Sequence, residues 1–389
     1  MDPFTHTLVG LTAAKAGLER LSPLATAVCM LAANSPDSDV VVGFVSDRWD
    51  YLHHHRGITH SIVGVIVLAF ILPAIMWLGE RIVARLRRTQ PRTRFRGLLL
   101  ASLIATATHP LMDWTNNYGV RPFLPWSNRW FYGDLVFIVD PLILLLAGGA
   151  AFLATKLGKW KMVVWAVLAI AFVSLSFIVD ARRDPSLANI AYARAILLVG
   201  IVSLILVRVF GWIRGRERVV AIAALFLIVL YWVGLSAEQS FASHQARSTA
   251  TEIAAQRGEA VVRLATMPTL ANPTRWLCVT ETDRAIYRFP VEVGFPRATT
   301  VVDGYQNNAV DAIERFEKPT GRTAELADVA AEDRRAKILL NFARFPISRV
   351  QDENCLSQTI VQIADLRYTE PGATRGSFSL NLPVECASK

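Results

Sequence analysis

The chain predicts an all-α membrane domain, a re-entrant helical hairpin plus about six transmembrane helices, followed by a C-terminal extracytoplasmic α+β domain. Three observations predict it. Hydrophobic residues make up 53% of the 389 positions and charged residues only 19%, too little charge to cover a soluble enzyme of this size. The apolar residues also come in long runs rather than alternating with polar ones. Finally, basic residues concentrate in every second connection between those runs, as a single membrane topology requires.

The first apolar stretch, 7–33, is broken by Lys15, Glu19-Arg20 and Ser22-Pro23. A straight span would hold charges at mid-depth, each costing about 2.5–3.5 kcal/mol. Two short helices with a turn at 19–23 avoid that cost and return residue 34 to the side of His6. Six runs then read as spans, at roughly 62–79, 97–112, 135–154, 161–179, 190–210 and 219–236, each approaching the ~20 residues that cross a bilayer core. The connection 80–96 carries arginines at 81, 85, 87, 88, 92, 94 and 96 and is therefore cytoplasmic. Connections 113–134 and 180–184 are balanced in charge, whereas Lys156, Lys159 and Lys161, and later Arg208, Arg214, Arg216 and Arg218, mark the cytoplasmic side again.

After the sixth span the chain emerges on the non-cytoplasmic side. Residues 236–267 are rich in Ala, Glu, Gln and Arg and read as a long helix leaving the membrane. Beyond Pro268, β-rich runs at 276–281, 286–294, 344–351, 357–366 and 376–384 alternate with helical stretches at about 308–318 and 323–342. The expected division is thus 1–145 for a site-bearing membrane domain, 146–236 for additional spans and 237–389 for the outer domain. The net charge of +9 does not indicate a nucleic-acid partner, since the arginines lie in short inter-span loops. Cys29 packs in an apolar segment, and Cys278, Cys355 and Cys386 allow at most one disulfide in the outer domain. No cleavable signal peptide is visible, so His6 is expected to stay on the mature chain.

Six of the seven histidines fall within the first 109 residues, each near the end of an apolar run. With the topology above, His60 at the start of one span and His109 at the end of the next share the non-cytoplasmic face. The hairpin brings His6, Asp37 and Asp39 there too. His109 and Asp113 are four residues apart on one helical face. Asp37-Ser-Asp39 follows a helix stop, and His55-Arg56-Gly57-Ile58-Thr59-His60 supplies two imidazoles flanking a guanidinium. Imidazole and carboxylate together suit a divalent metal such as zinc, manganese or iron. The candidate ligands His6, Asp37, Asp39, His55, His60, His109 and Asp113 exceed the four of one tetrahedral zinc site, so either some orient the others or two ions bind. A two-metal site suits phosphoester hydrolysis, with Arg56 neutralising phosphate. Asp134 reads as a ligand or an orienting partner. Asp140, inside an apolar run, reads either as a functional ionisable group or as a helix cap before Pro141. His53 and His54 read as interfacial polar residues, and the aromatics Trp114, Trp126, Trp130, Phe131 and Tyr132 as a membrane-interface belt.

These stretches together, Asp2-Pro-Phe-Thr-His6-Thr-Leu-Val-Gly10, Pro36-Asp-Ser-Asp39, His55-Arg-Gly-Ile-Thr-His-Ser61, His109-Pro-Leu-Met-Asp-Trp114 and Tyr132-Gly-Asp134 through Asp140-Pro141, resemble the YdjM-type family of inner-membrane-associated metal-dependent hydrolases. They run in order over about the first 145 residues, and a weaker echo, Asn272-Pro273 before Trp276, opens the outer domain. The resemblance implies a bacterial inner-membrane location and metal-dependent hydrolysis, and implies little about the substrate. The leading expectation is therefore a hydrolase acting through metal-activated water on a phosphoester or lipid-linked substrate, in contact with membrane lipids, with one or two divalent ions, zinc foremost. The alternatives are a metal or proton transporter, and a metal-stabilised membrane receptor. Later spans hold few polar residues besides serines, Tyr192 and Arg194, which disfavours the transporter.

Overall fold

The computed structural model describes residues 1–156, 158–181, 190–270, 272–293, 301–303, 313–355, 357–373 and 378–386. The chain divides into two units. One gathers Met1–Val40, Arg56–Ala237 and Pro268–Pro273, the other Val41–His55, Glu238–Met267 and Thr274–Lys389.

The first unit begins with two short helices, α1 (Pro3–Ala16) and α2 (Ala25–Ala32), joined by a turn that includes the 3-10 segment Leu18–Arg20. Asp2 starts α1 by accepting from the Thr5 amide, with Pro3 in the first turn. Gly17, at φ 144°, ends it through its N–H to the Ala13 and Ala14 carbonyls. The two helices approach closely at Gly10, where a Cβ would sit 2.5 Å from the Cys29 carbonyl oxygen. Asn34 then ties the far end back, donating to Thr7 Oγ1 at 2.8 Å. On the other flank Thr12 Oγ1 donates to the Ala147 carbonyl at 2.8 Å.

Three helices among the described residues are long and apolar enough to cross a membrane: α5 (Ile62–Leu86), α6 (Phe95–Trp114) and α10 (Glu217–Arg257). α5 keeps only Gly64, Val65, Ala69, Pro73 and Ala84 buried. Its exposed Ile66, Phe70, Ile71, Ile75 and Leu78 form the kind of apolar surface that lipid covers. The span expected at 135–154 is shorter than its apolar run: α7 covers only Pro141–Ala154, because the Asp140 carboxylate accepts the Leu142 and Ile143 amides and Pro141 opens the helix. α8 (Lys159–Ala181) and α9 (Ile190–Phe210) stand where the next two runs were expected. Their connection, 182–189, lies outside the described residues. The core of this unit joins Leu8 and Val9 of α1, Met112 of α6, Ile143, Leu144 and Ala147 of α7, and Ile228 and Leu235 of α10.

In the second unit the apolar segment Val42–Val45 (α3) and helix α4 (Arg48–His54) accompany the C-terminal domain. The helix expected to reach residue 267 stops at Arg257. Gly258 takes φ 65°, the Glu259 amide caps the Ala254 carbonyl at 2.8 Å, and Val261–Thr269 continues as strand β1. Strands β2 (Asn272–Thr282), β3 (Ala285–Glu292), β4 (Val301–Asp303) and β5 (Ile313–Glu317) complete a sheet ordered β1-β2-β3-β5-β4. The helix expected at 308–318 is partly outside the described residues. Its described part, Ile313–Glu317, is β5, held in antiparallel register with β3 from Ala285↔Glu317 to Arg288↔Glu314. Sheet pairing overrides the local helical preference there. The stretch 323–342 forms two helices, α11 (Arg322–Ala331) and α12 (Arg334–Phe342), because Asp333 caps the second by accepting from the Arg335 amide. Strands β6 (Pro346–Val350), β7 (Gln358–Asp365) and β8 (Ser379–Glu385) make a second, antiparallel sheet. A disulfide joins Cys355 to Cys386, while Cys278 and Cys29 are buried thiols.

Candidate metal centre

α6 supplies the floor of the site. The spacing of four places His109 and Asp113 on one face, and both side chains are fully withdrawn from solvent. His109 Nδ1 lies 2.6 Å from the Ala33 carbonyl oxygen at the end of α2. That carbonyl can only accept, so Nδ1 carries the proton and Nε2 presents its lone pair inward. The 3-10 turn Ile58–His60 adds His60, which is held before α5 by a tight approach. A Cβ on Gly64 would fall 1.9 Å from the Ile58 carbonyl oxygen, so no side chain fits there. The 3-10 segment Ser35–Val41 after α2 carries Asp37 and Asp39.

One atom each from Asp37, His60, His109 and Asp113 lie within 4.8 Å of one another. The closest separations are even. His60 and His109 Nε2 are 3.1 Å apart. Asp37 Oδ1 is 3.4 Å from His60 Nε2 and 3.3 Å from His109 Nε2, and Asp113 Oδ2 is 3.4 Å from both nitrogens. A zinc tetrahedron with bonds of about 2.0–2.1 Å has edges of about 3.3–3.4 Å, so the donor set and its spacing fit such an ion. Two buried polar groups at this point also lack hydrogen-bond partners, Asp113 Oδ2 and both nitrogens of His6. Leaving them so costs about 1–3 kcal/mol each, and a cation between them removes much of that cost.

His6 stacks on His109 with ring centroids 3.7 Å apart, and its Nε2 is 3.4 Å from Asp113 Oδ1. Asp39 lies behind His60, with Oδ2 3.5 Å from Nδ1 and accepting the Arg56 amide at 2.9 Å. Arg56 is buried and has φ 52°, a strained conformation for a side-chain-bearing residue. Its surroundings hold it there. Nη2 donates to Asp113 Oδ1 at 3.0 Å, while Nη1 donates to Asn116 Oδ1 at 2.9 Å and to the Gly119 carbonyl at 3.2 Å. The guanidinium also lies over the Tyr118 ring at 4.6 Å. The Met1 amino group pairs with the same Asp113 oxygen. Burial pushes the His60 imidazole down to about 3, against the pull of Asp37 and Asp39. It is therefore neutral, as a ligand must be.

Asp134 and Asp140 belong to neither group of possible ligands among the described residues. Asp134 is buried at φ 53°, in a loop fastened to the end of α6 by Gly133 N–H to the Trp114 carbonyl (2.7 Å) and Leu135 N–H to the Thr115 carbonyl (2.7 Å). Asp140 caps α7 and accepts from Tyr231 Oη at 3.0 Å. His55 caps α4 and stacks on Tyr51 in the second unit. Sequence reasoning missed Asn116, Tyr118 and the Ala33 carbonyl. The polar run Thr115-Asn116-Asn117 directly after Asp113-Trp114 could have pointed to the first, whereas a backbone carbonyl carries no signal at all.

Among curated proteins, the uncharacterized protein YfhP of Bacillus subtilis is 31% identical over 155 residues, which is 37% of this chain and 43% of that protein. The chain thus spans less than half the length of that relative. No solved structure matches the chain. Every residue of the centre lies within residues 1–185, which match the model of the YdjM inner membrane protein family, the family that the motifs resemble.

Proposed function

We propose that the protein is a membrane-bound metal-dependent hydrolase whose centre faces the non-cytoplasmic side and acts on a phosphoester or lipid-linked substrate. The observation that carries this reading is the convergence of Asp37, His60, His109 and Asp113 from separate elements at tetrahedral spacing. When bound, a divalent ion such as zinc supplies a Lewis acid and brings the pKa of water from 15.7 to roughly 7. The chain's own residues do the rest. The Ala33 carbonyl and Asp39 fix the two imidazoles in orientation, and Arg56 holds Asp113 Oδ1 so that Oδ2 turns to the centre. His6 adds an imidazole nitrogen to the same wall, and in this reading Asp140 serves the fold.

Sidedness rests on two supports. The arginine-rich connection after α5 favours the cytoplasm, which puts the α5 start and α6 end outside. The Cys355–Cys386 disulfide suits an oxidising compartment for the C-terminal domain. The α1–α2 pair acts as a re-entrant hairpin, and α7, α8 and α9 complete six spans. The test is elemental analysis of the purified protein, with hydrolysis of generic phosphodiester and ester substrates measured with zinc or manganese. His109→Ala is expected to lose both metal and turnover. Equal turnover in the variant removes the enzyme reading, and metal uptake into proteoliposomes would replace it with a transporter.

A further inference from the structure

The loop that holds Arg56 also carries an apolar excursion. It leaves the centre at Asn116 and Gly119, which accept from Arg56, and closes on itself where Val120 bridges Phe131. Aromatics in its arms are packed: Arg121 lies over the Trp130 ring at 4.5 Å, and Trp130 stacks on Tyr132. The tip is bare, with Phe123 46% and Trp126 78% exposed. Pro122 and Pro125 have no N–H. The Leu124 amide donates to the Arg121 carbonyl at 3.5 Å, and the Trp126 and Ser127 amides donate to the Phe123 carbonyl at 2.9 and 3.0 Å. An irregular segment that meets these donors internally and turns aromatics outward suits the membrane interface, where Trp is enriched. Its depth follows from α5. The apolar part of that helix, 62–79, is about 27 Å long at 1.5 Å per residue and nearly fills the ~30 Å hydrocarbon core, so Ile62 lies at an interface. The Ile62 amide donates to the Pro122 carbonyl at 3.0 Å, which sets the tip at the same level. Ile58 and Ile62, and Leu111 and Trp114 on the α6 turn that buries Asp113, are exposed as well.

We propose that the tip 123–126 is an aromatic lip seated among lipid headgroups, and that the substrate reaches the centre sideways from the bilayer as a phospholipid phosphoester. Bilayer lipid is the occupant because the apolar rim of the centre continues, through Ile62, onto the exposed apolar surface of α5. Arg129, exposed in the same loop and 5.2 Å from the Phe131 ring centre, adds a cation at headgroup level, which suits an anionic phosphate. The lip stands on geometry alone, whereas the substrate class rests on the hydrolase reading above and narrows it.

Two measurements on the full-length protein in nanodiscs of phosphatidylglycerol and phosphatidylcholine test the lip. Trp126→Cys takes a polarity-sensitive dye at position 126, since Cys29 and Cys278 are buried and Cys355 is joined to Cys386. Doxyl-labelled lipid is expected to quench the dye and aqueous iodide to leave it bright. Quenching by iodide alone puts the tip in water and overturns the lip. Quenching by neither means that protein covers the tip, which overturns it equally. The second measurement sets zinc-loaded protein on phosphatidylglycerol in the nanodiscs against the same protein on bis(p-nitrophenyl) phosphate in solution. In Trp126→Asp the ratio of lipid to soluble turnover is expected to fall about 10-fold, the low end of what burying one large apolar side chain is worth. Should that variant fail to fold, Phe123→Ser takes its place. An unchanged ratio, or a wild-type protein that turns over only the soluble ester, overturns entry from the bilayer. Hydrolysis of neither removes the hydrolase reading and the substrate class with it, while the quenching still decides the lip.

Discussion

Two buried carboxylates in this molecule have the same company and opposite fates. Asp365, at the end of β7, is wholly buried beside Arg367, whose Nη2 and Nε donate to Oδ2 at 2.7 and 2.8 Å. Amides of Arg344, Phe345 and Arg367 supply further donors at 3.2–3.4 Å. Asp113, at the end of α6, also has an arginine on one oxygen, but its second oxygen has no hydrogen-bond donor and faces two imidazole nitrogens. A carboxylate saturated with donors has no capacity left for a ligand. One left half-satisfied among neutral imidazoles is an acceptor waiting for a cation. Saturation, more than burial or charge, separates the structural acid from the candidate ligand.

The largest expected effect lies on the saturated side. Asp365→Ala strands the Arg367 guanidinium in the interior, and breaking a buried pair in this way costs about 3–5 kcal/mol. Thermal or denaturant unfolding of the C-terminal domain should show it, with metal content per folded molecule unchanged. Asp113→Asn should do the reverse. It keeps the shape and removes the charge, so zinc affinity is expected to fall at least ~100-fold, about 2.7 kcal/mol, while the amide oxygen still accepts from Arg56 and the loss of stability in the metal-free protein stays below that of Asp365→Ala. If Asp113→Asn destabilises the metal-free protein as much as Asp365→Ala does its own domain, the contrast between the two acids is lost.

Part of the centre and of the C-terminal domain was legible before any coordinates. The spacing of His109 and Asp113 and the run from His55 to His60 marked imidazoles and a carboxylate that do converge, because helix periodicity acts locally. Most strands of the C-terminal domain were legible for a like reason: Trp276–Glu281 and Gln358–Leu366 combine β-branched and aromatic residues with turn residues around them. Illegible were features set by tertiary context. β5 was read as helix, since only pairing with β3 reveals it. The positive φ of Arg56, the Ala33 carbonyl and the attachment of α4 to α12 leave no local trace either. Nor does sequence show which acid is saturated, for the donors to Asp365 include backbone amides.

Acid sharpens the comparison from the imidazole side. His60 is depressed to about 3 in the fold against about 6.5 in an unfolded chain. Between those values the unfolded chain binds a proton that the folded chain does not, so stability falls as pH falls. The contribution is complete above about pH 6.5 and declines below it by about 1.4 kcal/mol per pH unit, until His60 itself titrates. Melting temperatures of metal-free protein between pH 7.5 and 5 should decline accordingly, and His60→Gln should flatten the decline. An unchanged slope in that variant would assign the acid sensitivity to other groups.

The smallest effect concerns the arginine that both systems use. Arg367 is held by Asp365 and the Phe342 carbonyl, whereas Arg56 depends on the Asn116 side chain to hold Nη1 while Nη2 holds Asp113. Asn116→Ala removes one charged hydrogen bond, worth about 1.5–3 kcal/mol when fully lost. The Asp113 and Gly119 carbonyls still accept from the same nitrogen at 3.3 and 3.2 Å, so the expected loss is nearer 1 kcal/mol. Zinc affinity should then weaken several-fold rather than a hundredfold, because Asp113 keeps its charge and gives up only part of its orientation. A variant as damaged as Asp113→Asn would mean that Arg56 is held through Asn116 alone, and that orientation matters to this centre as much as charge.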